Sequence, residues 1–238
     1  MSTVYADTLE PSVPTKNTTL GATGDSITIG ANSINTNVIQ DSGGNVLFQS
    51  DGSGTLSNVN SAFSADLKLI STQTASNAAS VTISGLDSTY DLYIIKIIEL
   101  NPATNITYFR WQATTDGTNY NIACTSTAFR AYHKEDDSQS GLTYLTGSDA
   151  AQSTSDIELI ASVANDADAN SSGEIHLFKP SSTTYAKHWY SRFAGYDHDD
   201  VSIDNFYSGY FNTTSAVTGV KFVMNSGNLD GVFKLYGL

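Results

Sequence analysis

The sequence predicts an all-β protein in which an antiparallel β-sandwich or jelly-roll head follows an extended, strand-rich N-terminal stem. Two observations support this fold class. Apolar runs of strand length recur along the chain, separated by Gly, Asn, Asp and Ser residues that favour turns. No amphipathic stretch with a helical period lies between these runs. Short strands at such intervals, without intervening helices, are typical of antiparallel sandwiches and jelly rolls.

We predict that residues 1–61 form the stem. Three short apolar runs, Ser26–Ile29, Asn37–Ile39 and Val46–Phe48, are each followed by turn residues, and none is long enough to build its own core. The segment also carries too few charges to resemble a disordered tail. Because such strands must bury their apolar side chains against a partner, and identical chains are the usual partner, we expect a homo-oligomer, specifically a homotrimer.

We predict that residues 62–238 form the head, a single β-sandwich domain large enough to bury a substantial core. Its apolar runs are longer than those of the stem. The predicted strands are Leu67–Ser71, Val81–Ser84, Tyr90–Leu100, Ile106–Thr114, Leu142–Thr146, Ile157–Val163, Glu174–Phe178, Lys187–Phe193, Phe206–Phe211, Val217–Met224 and Gly231–Tyr236.

The alternation of apolar and polar residues predicts which side chains of the head face the core. On one strand, His188, Tyr190 and Arg192 are predicted to point outward. The run Tyr90–Leu100 is apolar on both faces, which predicts a strand covered on both sides, or one with its second face at a subunit contact. The predicted inward side chains are Phe109, Trp111, Ala113, Trp189, Ser191, Phe193, Val220, Phe222 and Met224.

Composition and charge exclude several classes of partner. The formal net charge is -13, whereas nucleic acids and anionic membranes attract clustered Lys and Arg, so we expect neither as a partner. No apolar run reaches the roughly 18 residues of a transmembrane helix. Because the N-terminus has no basic and apolar signal regions, we expect synthesis in a cytoplasm without a signal peptide. The single cysteine, Cys124, excludes an intrachain disulfide and is expected to be a buried thiol.

Four segments of the C-terminal part have a specific pattern. They are Phe109–Gly117, a strand followed by a Thr-Asp-Gly turn; Ser172–Ser182, which begins Ser-Gly-Glu-Ile and continues to Leu-Phe-Lys-Pro; Tyr210–Val217; and the closing strand Gly231–Leu238. Together they resemble a β-sandwich found in tail-fibre-like and appendage proteins of tailed bacteriophages, especially marine ones. The resemblance covers most of the chain and consists of strand and turn patterns.

The N-terminal segments Met1–Val4 and Gly24–Gly30 are similar to the attachment segments of the same phage proteins. The resemblance implies a structural virion protein, a trimeric short fibre or appendage. It would dock on other virion proteins through residues 1–60 and present the sandwich for contact with the host surface or another fibre protein. The alternatives are a capsid decoration protein and a non-viral carbohydrate-binding module.

The resemblance implies no active site and no cofactor, and we expect no enzymatic activity. An enzyme that degrades polysaccharides would need two carboxylates in a cleft, and the spacing of the acidic residues does not require such a pair. No nucleophile motif or phosphate-binding motif occurs in the sequence.

Two acidic segments could suggest a metal ion, but we expect none at either. Asp166, Asp168 and Asn170 alternate as in a calcium loop, yet Ser171 occupies the position at which such a loop requires glycine. We therefore predict a solvated hairpin turn there. The run Tyr196–Asp200 is predicted to be a polar loop, because adjacent side chains on a strand point in opposite directions and rarely converge on one metal.

Aromatic and acidic residues crowd the stretch 185–211. Alternation across Phe206–Phe211 cannot place every ring inside. Exposed tyrosines beside carboxylates suit sugar recognition, because the ring packs on a sugar face and the carboxylates accept hydrogen bonds from hydroxyls. Exposed apolar patches also mark protein contacts, so we favour a subunit interface over a host-surface glycan. The candidate residues are Tyr190, Tyr196, Tyr207, Tyr210, Asp197 and Asp199.

Overall fold

The computed structural model describes residues 38–41, 43–50, 52–53, 56–57, 59 and 67–238. These residues form strands, turns and loops, and none of them is helical, so the predicted all-β class is confirmed. The chain divides into two compact units, Met1–Phe63 and Ser64–Leu238. The predicted strand Ser26–Ile29 and the segments Met1–Val4 and Gly24–Gly30 lie outside the described residues.

The first unit contains a three-stranded antiparallel sheet, β1 (Val38–Gln40), β2 (Val46–Ser50) and β3 (Leu56–Ser57), in the order β1-β2-β3. Val38 and Ile39 of the predicted run Asn37–Ile39 lie on β1, and the predicted run Val46–Phe48 lies on β2; Asn37 lies outside the described residues. No described side chain of this unit is buried, and Leu56 is 58% exposed. The described strands of this unit therefore leave apolar surface uncovered.

The turn between β1 and β2 is organised by Asp41. Its Oδ1 accepts hydrogen bonds from the backbone N–H groups of Gly43 (2.8 Å) and Asn45 (2.9 Å). The hydrogen bonds from Asn45 lower the pKa of this carboxyl group. Gly44 has a φ of 82°, a conformation that glycine adopts without steric cost.

The second unit consists of thirteen strands, and every pairing among them is antiparallel. The strands are β4 (Lys68–Ala78), β5 (Val81–Ser84), β6 (Leu92–Pro102), β7 (Thr107–Thr114), β8 (Cys124–Lys134), β9 (Ser140–Tyr144), β10 (Ala150–Ser153), β11 (Ile157–Val163), β12 (Ser171–Phe178), β13 (Lys187–Asp197), β14 (Val201–Phe211), β15 (Gly219–Met224) and β16 (Leu229–Gly237).

These strands form two layers. The long layer has the order β4-β16-β6-β12-β13-β14-β8, and β9 and β10 share the remaining edge of β8. The short layer has the order β11-β7-β15-β5 and joins the long layer where Val163 of β11 pairs with Asp197 of β13.

Aromatic side chains fill the space between the two layers. Phe109 of the short layer contacts Phe193 (ring centroids 5.9 Å apart) and Phe233 (6.3 Å) of the long layer. All nine side chains that the sequence predicted to point inward are buried, and Cys124 is buried as expected. Burial raises the pKa of the Cys124 thiol to about 12. The face-to-face packing is that of a β-sandwich, in agreement with the prediction.

The main differences from the predicted strands lie at β4, β8, β10 and the β13–β14 hairpin. Strand β4 continues to Ala78, whereas the predicted strand ended at Ser71. Strand β8 was not predicted because its inward residues Cys124, Ser126 and Ala128 are small and form no apolar run. The short strand β10 was not predicted either. Strands β13 and β14 are longer than expected. Their pairing begins with Lys187 opposite Phe211 and continues to Asp197 opposite Val201.

The predicted polar loop Tyr196–Asp200 is therefore partly strand. Tyr196 and Asp197 end β13, and only residues 198–200 form the turn. Asp200 has a φ of 57°, as expected for the last position of a three-residue hairpin loop.

The predicted hairpin turn at Asp166–Asn170 is wrong, because β11 and β12 do not pair with each other and lie in different layers. The segment is instead a connection between layers. It is held by the Asn101 side-chain amide, which donates to the carbonyl oxygens of Asp166 (3.3 Å) and Ala169 (2.7 Å).

Strand β6 lies inside the long layer, between β16 and β12. Tyr93, Ile95 and Ile97 point into the core, whereas Ile98 on the opposite face is 37% exposed. Ile94, on that same face, is buried at 8% exposure, so the second face is only partly covered within this chain.

Candidate binding surface

The solvent-facing side of the long layer, which we call the outer face, carries two rows of aligned side chains. Strand pairing places one row across seven strands, so at about 4.8 Å per strand it extends for roughly 29 Å. In order from β16 to β9, this first row is Lys234, Lys96, Glu174, Arg192, Phe206, Phe129 and Tyr144. The second row is Tyr236, Ile94, His176, Tyr190, Ser208 and Thr127.

The charged half of the first row is organised around Glu174. Its Oε2 lies 3.6 Å from Nζ of Lys96, and its Oε1 lies 2.8 Å from Nε2 of His176. The hydrogen bond from His176 and the charge of Lys96 hold the pKa of Glu174 below its usual value. The carboxylate is therefore fixed between a lysine and an imidazole.

Arg192 forms a bidentate ion pair on the outer face. Its Nε donates to Oδ1 of Asp204 (3.0 Å) and its Nη2 donates to Oδ2 (2.7 Å), which is a bidentate pair. Asp204 raises the pKa of the guanidinium above its usual value. The guanidinium also lies 5.1 Å from the ring centroid of Phe206, which stacks in turn on Phe129 (4.9 Å, 5° between planes).

Tyr190 presents an open ring beside this cluster. On one side it stacks on His176, with centroids 4.5 Å apart and planes 14° apart. Its neighbour on β14 is Ser208, a residue too small to cover a ring. The tyrosine is 43% exposed.

The small side chain of Ser208 leaves a shallow depression of about 240 Å³ between Tyr190 and the Phe206–Phe129 pair. A second depression of about 420 Å³ lies on the other side of Arg192 and is lined by Lys96, Glu174 and Ser172, among others. Arg192 borders both depressions. The first is bounded mainly by rings, and the second combines Lys96 and Glu174 with apolar residues such as Ile98. Hydrogen-bonding groups are therefore available beside apolar surface.

Two of the six predicted site residues lie on the outer face. Tyr190 borders the depression, and Tyr210 lies two residues from Ser208 on β14, where its OH accepts a hydrogen bond from Nε2 of Gln152 (3.4 Å). Tyr196 and Asp199 lie instead at the β13–β14 hairpin.

The hairpin residues make local contacts. The Tyr196 OH donates to Oδ1 of Asp200 (2.5 Å), and this carboxylate raises the pKa of Tyr196 to about 12. Asp199 lies 3.3 Å from Nε2 of His198. The predicted residues therefore do not form one site.

The predictions for Tyr207 and Asp197 are wrong, because both residues are buried, with 2% and 5% of their surface exposed. Tyr207 follows the outward Phe206 and therefore points into the core, where its OH donates to Oε1 of Glu158 (3.3 Å). Asp197 pairs with Nη1 of Arg130 (3.5 Å) and with His198.

Glu158 was not singled out from the sequence, although its environment is unusual. Burial raises the pKa of this carboxyl group. The charge of Arg110, whose Nη2 lies 4.0 Å from Oε2 of Glu158, offsets this rise only in part. It lines a polar depression of about 170 Å³ together with Asp156, which pairs with Lys221 (3.5 Å). Within the described residues, no group of three His, Cys, Asp or Glu side chains could hold a metal ion.

Sequence reasoning missed most of the outer face for a physical reason. Phe129, Glu174, His176 and Lys96 are distant along the chain from Tyr190 and become its neighbours only through strand register. One signal was available: Glu174, His176 and Phe178 alternate with apolar residues, which predicts a polar and aromatic outward face. For β8 no such signal existed, because the strand itself was not recognised.

Comparisons with known proteins add no assignment. No known protein family matches the chain, and no significant match is found among curated proteins. Within the residues that the structure describes, there is no helix of the length and apolarity needed to cross a membrane.

Proposed function

We propose that this chain is a structural protein of a bacteriophage virion, a homotrimeric short fibre or appendage without enzymatic activity. Its first unit docks on other virion proteins, and its β-sandwich presents the outer face to the host surface or to another fibre protein. The proposal rests on strand and turn patterns that resemble those of phage appendage proteins and on the unequal burial of the two units.

The unequal burial supports the oligomeric and docking parts of the proposal. The sandwich has a complete core, with Phe109, Trp111 and Phe222 fully buried. In the first unit, Leu47 is only half-buried, and Leu56 and Val59 are 58% and 40% exposed. Exposed apolar side chains on short strands are stabilised when further chains cover them, which favours a symmetric oligomer and a docking role for this unit.

Sedimentation analysis of the full chain tests the oligomeric state. We expect a species of about 76 kDa, three times the 25.4 kDa chain mass, at micromolar concentration. A folded monomer as the main species would contradict the trimer.

Electron microscopy tests the virion role. Antibodies against the sandwich, carrying gold labels, should decorate assembled phage particles at the tail. Regular labelling over the capsid would instead indicate a decoration protein, and unlabelled particles beside a labelled soluble fraction would overturn the virion role.

A chain without residues 1–60 should remain folded and no longer join the particle; wild-type incorporation would place docking in the sandwich.

A non-viral carbohydrate-binding module is the second candidate, and the outer face favours it. The ring of Tyr190 beside the Arg192–Asp204 pair is a suitable sugar contact in either setting. A monomer that binds glycans and never associates with particles would support this candidate over the first.

A further inference from the structure

We propose that the depression between Tyr190 and Phe206 binds one sugar ring of an uncharged, hydroxyl-rich glycan. This inference names the ligand class for the outer face and rests on the proposed host-surface contact.

The ring geometry provides a flat apolar contact. His176 supports one face of Tyr190 at 4.5 Å, and Ser208 leaves the space on the β14 side open. Phe206 is held between Phe129 and the guanidinium of Arg192. Rings fixed in this way lose little side-chain entropy when a ligand binds, and a sugar face can pack on them as on other apolar surfaces.

Polar groups next to the rings can recognise hydroxyls. Arg192 lines the depression and donates hydrogen bonds. The acceptors Glu174 and Asp204 lie beyond it: Glu174 borders the neighbouring depression, and Asp204 pairs with Arg192. Each is already oriented by an ion pair, so a hydroxyl meets a donor or acceptor in a fixed position. The Arg192 side chain is 65% exposed, so its guanidinium can donate further hydrogen bonds through its remaining N–H groups.

The charge of the face favours an uncharged ligand. Lys234, Lys96 and Arg192 are nearly balanced by Glu174 and Asp204, whereas the whole chain has a net charge of -13. A polyanion would be repelled by the protein as a whole, and a polycation would meet no excess of negative charge on this face. An uncharged glycan avoids both costs.

The composition of the face limits the size of its ligand. Aromatic residues and Arg, which line the depression, are enriched at the centres of protein–protein interfaces, whereas Lys, Glu and Asp are depleted there. A protein that covered the whole face would have to bury Glu174, the neighbour of Arg192 in the first row, and Asp204, which pairs with Arg192. A ligand of the size of one sugar ring covers the rings without burying both carboxylates.

The size of the depression sets the expected affinity. Its volume of about 240 Å³ lies below the roughly 300 Å³ at which typical ligand pockets begin, so one sugar ring is the expected occupant. A single weak contact of this kind corresponds to a Kd on the order of 1 mM. Three copies in a trimer would raise the apparent affinity by roughly 10²–10⁴ if their sites can bind simultaneously.

Affinity electrophoresis of the full chain tests the inference. The gels contain dextran, galactomannan or laminarin as uncharged probes, and alginate as an acidic probe. We expect retardation by at least one uncharged probe, little change with salt, and at least tenfold weaker binding for Tyr190→Ala and for Ser208→Phe, which fills the depression. Tyr190→Phe keeps the ring and should retain binding, and Tyr185→Ala, at a residue 73% exposed and not lining the depression, is the matched control.

The outcomes separate the two proposals. Absence of retardation by all three uncharged probes, retardation by alginate alone, or unchanged binding in Tyr190→Ala would each overturn the glycan site. Incorporation of Tyr190→Ala into particles at the wild-type level is expected, because docking lies in the first unit. If glycan binding is lost in this variant while the wild-type chain never associates with particles, the glycan site stands and the virion role fails.

Discussion

The indole rings of Trp111 and Trp189 meet edge to face, with centroids 5.1 Å apart and planes at 83°. Trp111 lies on the short layer and Trp189 on the long layer, so the contact joins the two halves of the sandwich. Phe211 lies 5.2 Å from Trp111 and completes the cluster. An edge-to-face pair of this kind contributes about 0.5–1.5 kcal/mol beyond the burial of its surface.

Replacing one of these indoles should destabilise the sandwich strongly. We expect Trp189→Ala to lower the free energy of unfolding by about 3–5 kcal/mol, because it leaves a large cavity between the layers. Urea denaturation measures the change. Tyr185→Ala, at an exposed tyrosine, should change stability by no more than about 0.5 kcal/mol. A loss below about 1 kcal/mol for Trp189→Ala would show that the contact does not hold the layers together.

Gly173 should not tolerate a side chain. A Cβ at this position would lie 2.5 Å from Cδ1 and 2.7 Å from Cα of Phe193, and the backbone of β13 cannot move away without breaking pairing. We expect Gly173→Ala to cost about 1–3 kcal/mol through overpacking, as measured by thermal denaturation. Gly147→Ala is the matched control, because a Cβ there meets nothing within 4 Å. Equal melting temperatures for the two variants would contradict the close approach of β12 and β13.

Lys187 is a buried lysine that is held by backbone carbonyls. Its Nζ donates to the carbonyl oxygens of Tyr185 (2.7 Å) and Thr213 (3.0 Å), and burial lowers its pKa. We expect Lys187→Ala to lower the free energy of unfolding by about 2–4 kcal/mol, because two hydrogen bonds from a charged donor are lost. Lys179→Ala, at an exposed lysine paired with Asp91, should cost no more than about 1 kcal/mol. Similar losses for both lysines would argue against this anchoring role.

Glu158 should oppose folding at neutral pH. Since burial raises its pKa above the ordinary value of 4.5, the folded state binds its proton more tightly than the unfolded state does. The resulting cost is absent below the ordinary pKa and grows as the pH rises from that value through the raised pKa. We therefore expect Glu158→Gln, which stays uncharged, to be more stable than the wild type at neutral pH and to lose this advantage in acid.

Urea denaturation of both chains between about pH 3.5 and pH 7.5 measures this difference. Glu135→Gln, at an exposed turn residue, provides the control for losing a surface charge. A destabilisation by Glu158→Gln that is the same at every pH would show that the carboxylate is more favourable in the fold than its burial indicates.

The sequence was sufficient for the fold class and for much of the core. Trp189, Ser191 and Phe193 alternate with His188, Tyr190 and Arg192, and the structure buries the first three as predicted. This works because successive side chains of a strand point to opposite faces, so a local pattern records which face is buried. Prediction from alternation failed at β8, where small inward residues leave no apolar run. It also failed at Asp166–Asn170, because a local pattern does not show which strands pair.

The candidate surface depended on tertiary structure. The sequence alone brought Tyr190 to attention through its outward position, but it grouped this residue with Tyr207 and Asp197, which are buried. Only the register of β12, β13 and β14 places His176 and Ser208 on either side of Tyr190. Alternation fixes the face of a side chain from its near neighbours in sequence, whereas the residues it contacts across strands are set by long-range pairing that no local pattern determines.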